Sequence, residues 1–280
     1  MATGRTASSN RLTPIFERRV YRDVGELVLV ALAFLLYFVV RANVIDRPDL
    51  AIENAVRIVD TEKALGIYSE LACQEAILDS RLLVRFFNFV YFWLDFPVIA
   101  VLGLLMYWKR RRYYTFTRDA ILFSGACALV VYALFPVAPP RLLPDSGIID
   151  TLQAYNNASY QAQSTEFFVN PYAAMPSLHV GWAFLVAIGV VLAFGQDEGQ
   201  RARGKGQVVR ALVIVLAVLH PIAQWASTVF TGNHYFLDGV GGLVAAALGL
   251  AFAVSMQKQG YPVLSRLLRP ERSETNGSRG

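Results

Sequence analysis

Apolar residues along this chain do not alternate with polar ones; they fall into six long blocks, at roughly 24–43, 84–107, 120–137, 177–194, 210–230 and 235–256. Each block approaches the ~20 residues that a helix needs to cross ~30 Å of hydrocarbon. A helix also satisfies its own backbone hydrogen bonds where no water is available. The pattern therefore predicts an all-α fold, an integral-membrane six-helix bundle, with little tilt in the short third and fourth spans. The outer 44–82 segment reads differently. Between residues 50 and 78, Ile52, Val56, Val59, Ala64, Leu65, Ile67 and Leu71 recur among acidic positions. That spacing predicts one or two amphipathic surface helices, either capping the bundle or contacting substrate. In the last block, Gly239, Gly241, Gly242, Ala246 and Gly249 form a small-residue face suited to close helix packing.

Composition supports this reading: 280 residues are 55% hydrophobic and mean hydropathy is +0.41, too apolar for an ordinary soluble domain. Charge then sets the orientation. Arg5, Arg11, Arg18, Arg19 and Arg22 precede the first block, and Lys109, Arg110, Arg111, Arg112 and Arg118 follow the second. The fourth-to-fifth connection adds Arg201, Arg203, Lys205 and Arg210, and the tail adds Lys258, Arg266, Arg269, Arg272 and Arg279, so one side carries 19 of the 26 basic residues. The positive-inside rule then predicts both termini cytoplasmic. The net charge of +5 reflects this bias, with contact to anionic lipid as a further contribution, and no nucleic-acid module is present.

The organisation expected is a basic cytoplasmic arm over 1–22, a six-span catalytic domain over 23–256 and a partly disordered cytoplasmic tail over 257–280, polar from 271 onward. The first block follows a long basic arm without a small-residue cleavage site and reads as a retained span. Cys73 and Cys127 fall at different depths and are not expected to pair. Asn157-Ala158-Ser159 is a glycosylation sequon on the predicted outer side, and there is no internal repeat. Bacterial plasma membrane is the favoured location, since the chain shows no eukaryotic retention signal.

Candidate chemistry concentrates on the outer face. His179, in Pro176-Ser177-Leu178-His179, and His234, in Asn233-His234-Tyr235-Phe236-Leu237-Asp238, both stand at the mouths of apolar helices. Four residues separate His234 from Asp238, so a helix starting at Tyr235 would place the carboxylate under the imidazole. Phosphate esters need positioning, positive charge and help for the attacking and leaving oxygens. His234 fits the nucleophile, with Asp238 setting its tautomer. His179 fits the general acid that protonates the departing alkoxide. Ser177, as N-cap of the fourth span, marks a helix start that favours an anion. Arg141 offers a planar fork for two phosphate oxygens, and Asn233 adds a polar contact beside His234. The 138–176 loop that carries Arg141 is long enough to be functional. Asp95 and His220, both at span depth, are expected either to pair with each other or to face a cavity.

The two motifs resemble the second and third signatures of the type 2 phosphatidic acid phosphatase superfamily. Ala138-Pro139-Pro140-Arg141, Ala173-Ala174-Met175-Pro176-Ser177-Leu178-His179 and Thr231-Gly232-Asn233-His234-Tyr235 are similar to its inositol phosphotransferase branch, related to inositol phosphorylceramide synthases. The resemblance spans about residues 60–250. It implies a six-helix bundle with a metal-independent, cofactor-free outer site acting on lipid phosphates through a phosphohistidine, His234 being the nucleophile, Asp238 its partner and His179 the acid. There are departures from the pattern. Leu178 replaces a glycine, Ser227-Thr228 stands where a Ser-Arg pair is usual, and the first signature, with its lysine and Arg-Pro, is absent from the outer side. Ser265-Arg266 and Arg269-Pro270 mimic it only superficially, on the inner side. Fewer arginines favour a transferase-like or lipid-specific activity over broad phosphatase activity.

The leading expectation is a membrane enzyme that moves a phosphoryl-containing head group from a lipid phosphate or phosphodiester to an alcohol. With water as acceptor the same site is a lipid phosphate or polyprenyl pyrophosphate phosphatase. A transporter or channel-like bundle, with Asp95, His220 and the outer histidines as a proton or ion path, is the non-enzymatic alternative.

Overall fold

The computed structural model describes residues 13–44, 47–155, 171–195 and 205–267. The first part of the basic arm, the Asn157 sequon, Arg201 and Arg203, and the 271–280 tail lie outside the described residues. Within them the chain is all helical: α1 (Thr13–Val44), α2 (Pro48–Ala64), α3 (Glu70–Leu78), α4 (Arg81–Trp93), α5 (Phe96–Lys109), α6 (Arg111–Leu134), α7 (Thr151–Tyr155), α8 (Leu178–Gly195), α9 (Lys205–Phe230), α10 (Phe236–Ser255) and α11 (Tyr261–Leu267). A π-helical turn, Met256–Gly260, joins the last two.

Among the described residues five segments are long and apolar enough to cross a membrane, and α4 with α5 makes a sixth if the bent pair is one span. The chain is a multi-pass integral membrane protein. The second block, expected to be continuous, breaks after Trp93 and resumes at Phe96 with a 43° bend. Pro97, in the first turn of α5, has no N–H to continue the ladder. By contrast, Pro221 sits inside α9 without ending it. The third span starts at Arg111, nine residues before the apolar block, because its first turns are held by charge pairs. Arg118 lies 2.5 Å from Glu26 and 2.6 Å from Asp119.

The bundle core is α6, α8, α9 and α10, with α1 leaning on α6. Its contacts are made by small residues. A Cβ on Gly242 would stand 2.1 Å from the Ser177 carbonyl oxygen, and one on Gly249 would stand 2.3 Å from that of Ala120. These glycines let the helix backbones touch, as the small-residue face predicts. Large apolar side chains such as Leu212, Leu216, Ile222, Val244 and Leu248 point outward. That is the arrangement expected when the solvent is as apolar as the side chains.

Helices α2 and α3 do form the expected cap, but with a different face inward. Ala51, Asn54, Ala55, Ile58, Val59 and Glu62 are buried, at the spacing of a helical stripe. Val56, Leu65 and Ile67, expected on the apolar face, are exposed. The cap docks through polar matches as well as apolar area. Asn54 donates to the Pro136 carbonyl at 2.9 Å, and the Ala138 N–H donates to the Ala51 carbonyl at 3.0 Å. Cys73 and Cys127 are free.

Candidate active site

The cap and the loops beneath it fix the catalytic candidates before any side chain is considered. Val137 and Ala173 form a single parallel bridge. It ties the Arg141 strip to the strip that leads into Ser177. The Ser177 N–H donates to the Asp238 carbonyl at 2.8 Å, so the mouth of α8 is fastened to the first turn of α10. Between α9 and α10 the chain reverses at Thr231-Gly232-Asn233. Gly232 has φ +71°, and a Cβ there would meet Ile148 at 2.6 Å, so only glycine fits without strain. The Thr228 carbonyl accepts from the N–H groups of both Asn233 and His234, at 3.0 and 3.1 Å. Ser227 and Thr228, which replace the Ser-Arg pair, are buried and bonded back into α9.

His234 lies two residues before α10, not within it. The expected i,i+4 contact with Asp238 nevertheless forms, as a contact at the helix start. The Asp238 Oδ2 accepts the Tyr235 N–H at 2.9 Å and stands 3.3 Å from His234 Nδ1. The Ala174 carbonyl is nearer to Nδ1, at 2.8 Å. Both neighbours accept, so Nδ1 carries the proton and Nε2 keeps its lone pair. Asp238 therefore shares the tautomer-setting role with a backbone carbonyl.

His179 stands in the first turn of α8, with its ring centroid 5.6 Å from that of His234. Tyr91 stacks on it at 4.4 Å and 20°. Its Nε2 is 3.5 Å from Asp95 Oδ2. The Asp95–His220 pair anticipated from sequence therefore does not form. His220 Nε2 bonds the Leu94 carbonyl instead, and the break between α4 and α5 turns Asp95 toward the site. Sequence reading left Asp95 between a pair with His220 and a place facing a cavity, and did not anticipate His179 as its neighbour. The signal at Asp95 was a lone carboxylate inside an apolar block, next to a proline.

Arg141 is part-buried. Its Nη1 donates to Asn233 Oδ1, and its Nε lies 3.0 Å from Asp150 Oδ2. Asn233 in turn donates to Thr231 Oγ1 at 2.7 Å. The guanidinium fork is thus held by two partners in place of standing open. Asp150 is kept there by Gln74 of α3, which accepts from the Ile149 N–H at 2.8 Å and donates to its carbonyl at 3.0 Å. Ser177 occupies the N-cap position of α8, but its buried Oγ makes no capping bond and has no hydrogen-bond partner. Among the described residues no group of three His, Cys, Asp or Glu side chains is placed to hold a metal ion.

Two imidazoles from different spans therefore face each other, each beside a buried carboxylate, with one arginine anchored nearby through Asn233. The sequence profile of the PAP2 superfamily matches residues 56–252, which includes both histidines, both carboxylates and Arg141. The chain belongs to the PAP2 superfamily. It is also similar to the phosphoinositol dihydroceramide synthase of Bacteroides thetaiotaomicron, with 24% identity over 170 residues. That match covers 56% of this chain and 51% of the relative, so the chain spans about half the length of the protein it resembles. No solved structure matches it. Members of the PAP2 superfamily are phosphatases and phosphotransferases.

Proposed function

We propose that this PAP2 protein is a lipid phosphotransferase that moves a phosphoryl-containing head group to an alcohol. The observation carrying the proposal is the facing pair His179–His234, with ring centroids 5.6 Å apart, each imidazole beside a buried carboxylate, Asp95 for His179 and Asp238 for His234. In the first step the Nε2 lone pair of His234 attacks phosphorus. An N–P bond forms, the P–O bond to the lipid alcohol breaks, and His179 gives that oxygen its proton. In the second step the acceptor hydroxyl gives its proton to His179 while its oxygen attacks phosphorus and the N–P bond breaks. Asp238 and the Ala174 carbonyl hold the Nδ1 proton of His234 throughout, and Asp95 stabilises the imidazolium of His179. Arg141, with Asn233, neutralises the phosphoryl oxygens. Neither step draws on a metal ion.

The name of the relative supports phosphoinositol as the transferred group and a ceramide-type hydroxyl as the acceptor. The scarcity of arginines supports transfer over broad hydrolysis. Hydrolysis of a lipid phosphate or polyprenyl pyrophosphate is the same chemistry with water as acceptor. We further place six spans with both termini inside and the site on the outer face of a bacterial plasma membrane, by the positive-inside count.

The test uses purified protein in detergent with EDTA, offered labelled inositol phospholipid, phosphatidic acid and polyprenyl pyrophosphate, with and without a ceramide-type acceptor. Wild type is expected to label the acceptor. His234→Ala is expected to lose turnover by about 10³-fold or more. Equal behaviour of the two proteins across the panel would overturn the proposal. Release of free phosphate alone would convert transfer to hydrolysis.

A further inference from the structure

Glu62 of α2 and Glu70 of α3 are both buried, and neither belongs to the machinery above. They meet over the start of α10. Glu62 Oε1 accepts the Leu237 N–H at 2.7 Å, and Glu70 Oε1 accepts the Phe236 N–H at 3.1 Å. Asp238 takes the preceding donor, Tyr235 N–H. Three consecutive N–H groups at the mouth of α10, which have no partner inside their own helix, are thus taken by carboxyl groups from three different elements. Ordinary capping needs one side chain from the same turn.

The hydrogen bonds are asymmetric. Glu70 accepts N–H donors at both oxygens, from Phe236 and, at 3.0 Å, from Ser69. Both of its oxygens are thus in use as acceptors. Glu62 Oε2 is buried and has no hydrogen-bond partner, so Glu62 uses one oxygen only. Burial, chiefly, and the neighbouring Glu70 push the Glu62 carboxyl above the usual carboxylate range. The other ionisable groups facing the pair are Asp238 and Tyr235 at the start of α10, Tyr68 in the connection and the Cys73 thiol of α3. The Lys63 ammonium stands over the Tyr68 ring, 5.3 Å from its centroid. Among the described residues no lysine or arginine pairs with either carboxyl.

We propose that Glu62 and Glu70 are positioning residues of the active site: their carboxyl groups, brought from α2 and α3, clamp the first turn of α10 and hold His234 and Asp238 in register. The clamp explains why the cap buries its polar stripe and leaves larger apolar residues outside. It makes the cap part of the catalytic geometry, resting on the reading of His234 and Asp238 given above.

Asymmetry supplies the test, because an amide keeps the one acceptor oxygen that Glu62 uses but not both of those that Glu70 uses. Full-length Glu62→Ala, Glu62→Gln, Glu70→Ala and Glu70→Gln proteins would be compared with wild type by transfer kinetics and by hydrogen exchange of the peptide covering residues 232–240. Glu62→Ala is expected to lower kcat about tenfold or more with KM within about twofold, and Glu62→Gln to restore most of it. Glu70→Gln is expected to fare no better than Glu70→Ala. Exchange protection of Phe236 and Leu237 should follow the same order, and it reads the clamp even if the transferase assignment fails. Equal rescue by both glutamines, or protection in Glu62→Ala matching wild type, would overturn the proposal.

Discussion

The two ends of the bundle satisfy buried carboxylates in opposite ways. At the end carrying Glu26 and Asp119, acids meet cations and phenols. Arg118 lies within 2.6 Å of both acids. Tyr114 donates to Glu26 at 3.0 Å, and Tyr261 donates to Asp119 at 2.6 Å. At the histidine end, Asp95, Asp238, Glu62 and Glu70 have imidazoles, backbone N–H groups and one another. The first network tethers α1, α6 and α11. The second sets two imidazoles beside carboxylates, the side chains that proton transfer uses most often. Charge pairing builds an anchor, whereas backbone and imidazole pairing build a site.

Substitutions at each end sharpen that contrast. Arg141→Ala, which removes the fork beside Asn233, is expected to cut turnover about 100-fold; unchanged turnover in the labelled-lipid assay would remove it from the phosphate site. Asp95→Asn should lower kcat about tenfold, since a neutral amide supports an imidazolium less well, while a Lys or Arg exchange at the opposite end should not. Asp119→Asn is expected to cost about 1–3 kcal/mol by losing a charged acceptor of Arg118 and Tyr261. Its kcat should stay within about twofold of wild type, so a large catalytic loss would erase the difference between the ends.

The smallest effect expected is a pH slope. Glu62 keeps its proton in the folded protein where the unfolded chain has lost it. The stability it contributes is therefore fully present below the ordinary carboxylate range and drains away as pH climbs toward the raised folded value. Glu62→Gln lacks that slope. Its melting temperature should gain on wild type by a few degrees between about pH 5 and pH 8, and parallel curves would show that Glu62 is ionised throughout.

Much of the fold was legible in sequence because lipid imposes simple rules. Long apolar blocks mark the helices, and Gly242 and Gly249 mark where they touch. The histidine motifs, too, were readable at Pro176–His179 and Asn233–Asp238, since their residue types and spacing are unusual beside apolar runs. The cap face was misread because the buried stripe of α2 includes Asn54 and Glu62. Polar residues go inward there to meet the Pro136 carbonyl and the Leu237 N–H, and no hydropathy pattern anticipates such partners.

What sequence by itself determined is therefore the local material: which segments are helical, which residues can carry a proton or hold a phosphate, and where small residues allow close packing. Only the tertiary structure decided pairing. It matched Asp95 with His179 and not with His220, gave His234 Nδ1 a backbone carbonyl as well as Asp238, and engaged Arg141 with Asn233 and Asp150. It also brought Glu62 and Glu70 over α10. Helix periodicity is set within a few residues, but the partner of a buried polar group is chosen by geometry across 50 or more positions of chain, as between Asp95 and His179 or Glu62 and Leu237.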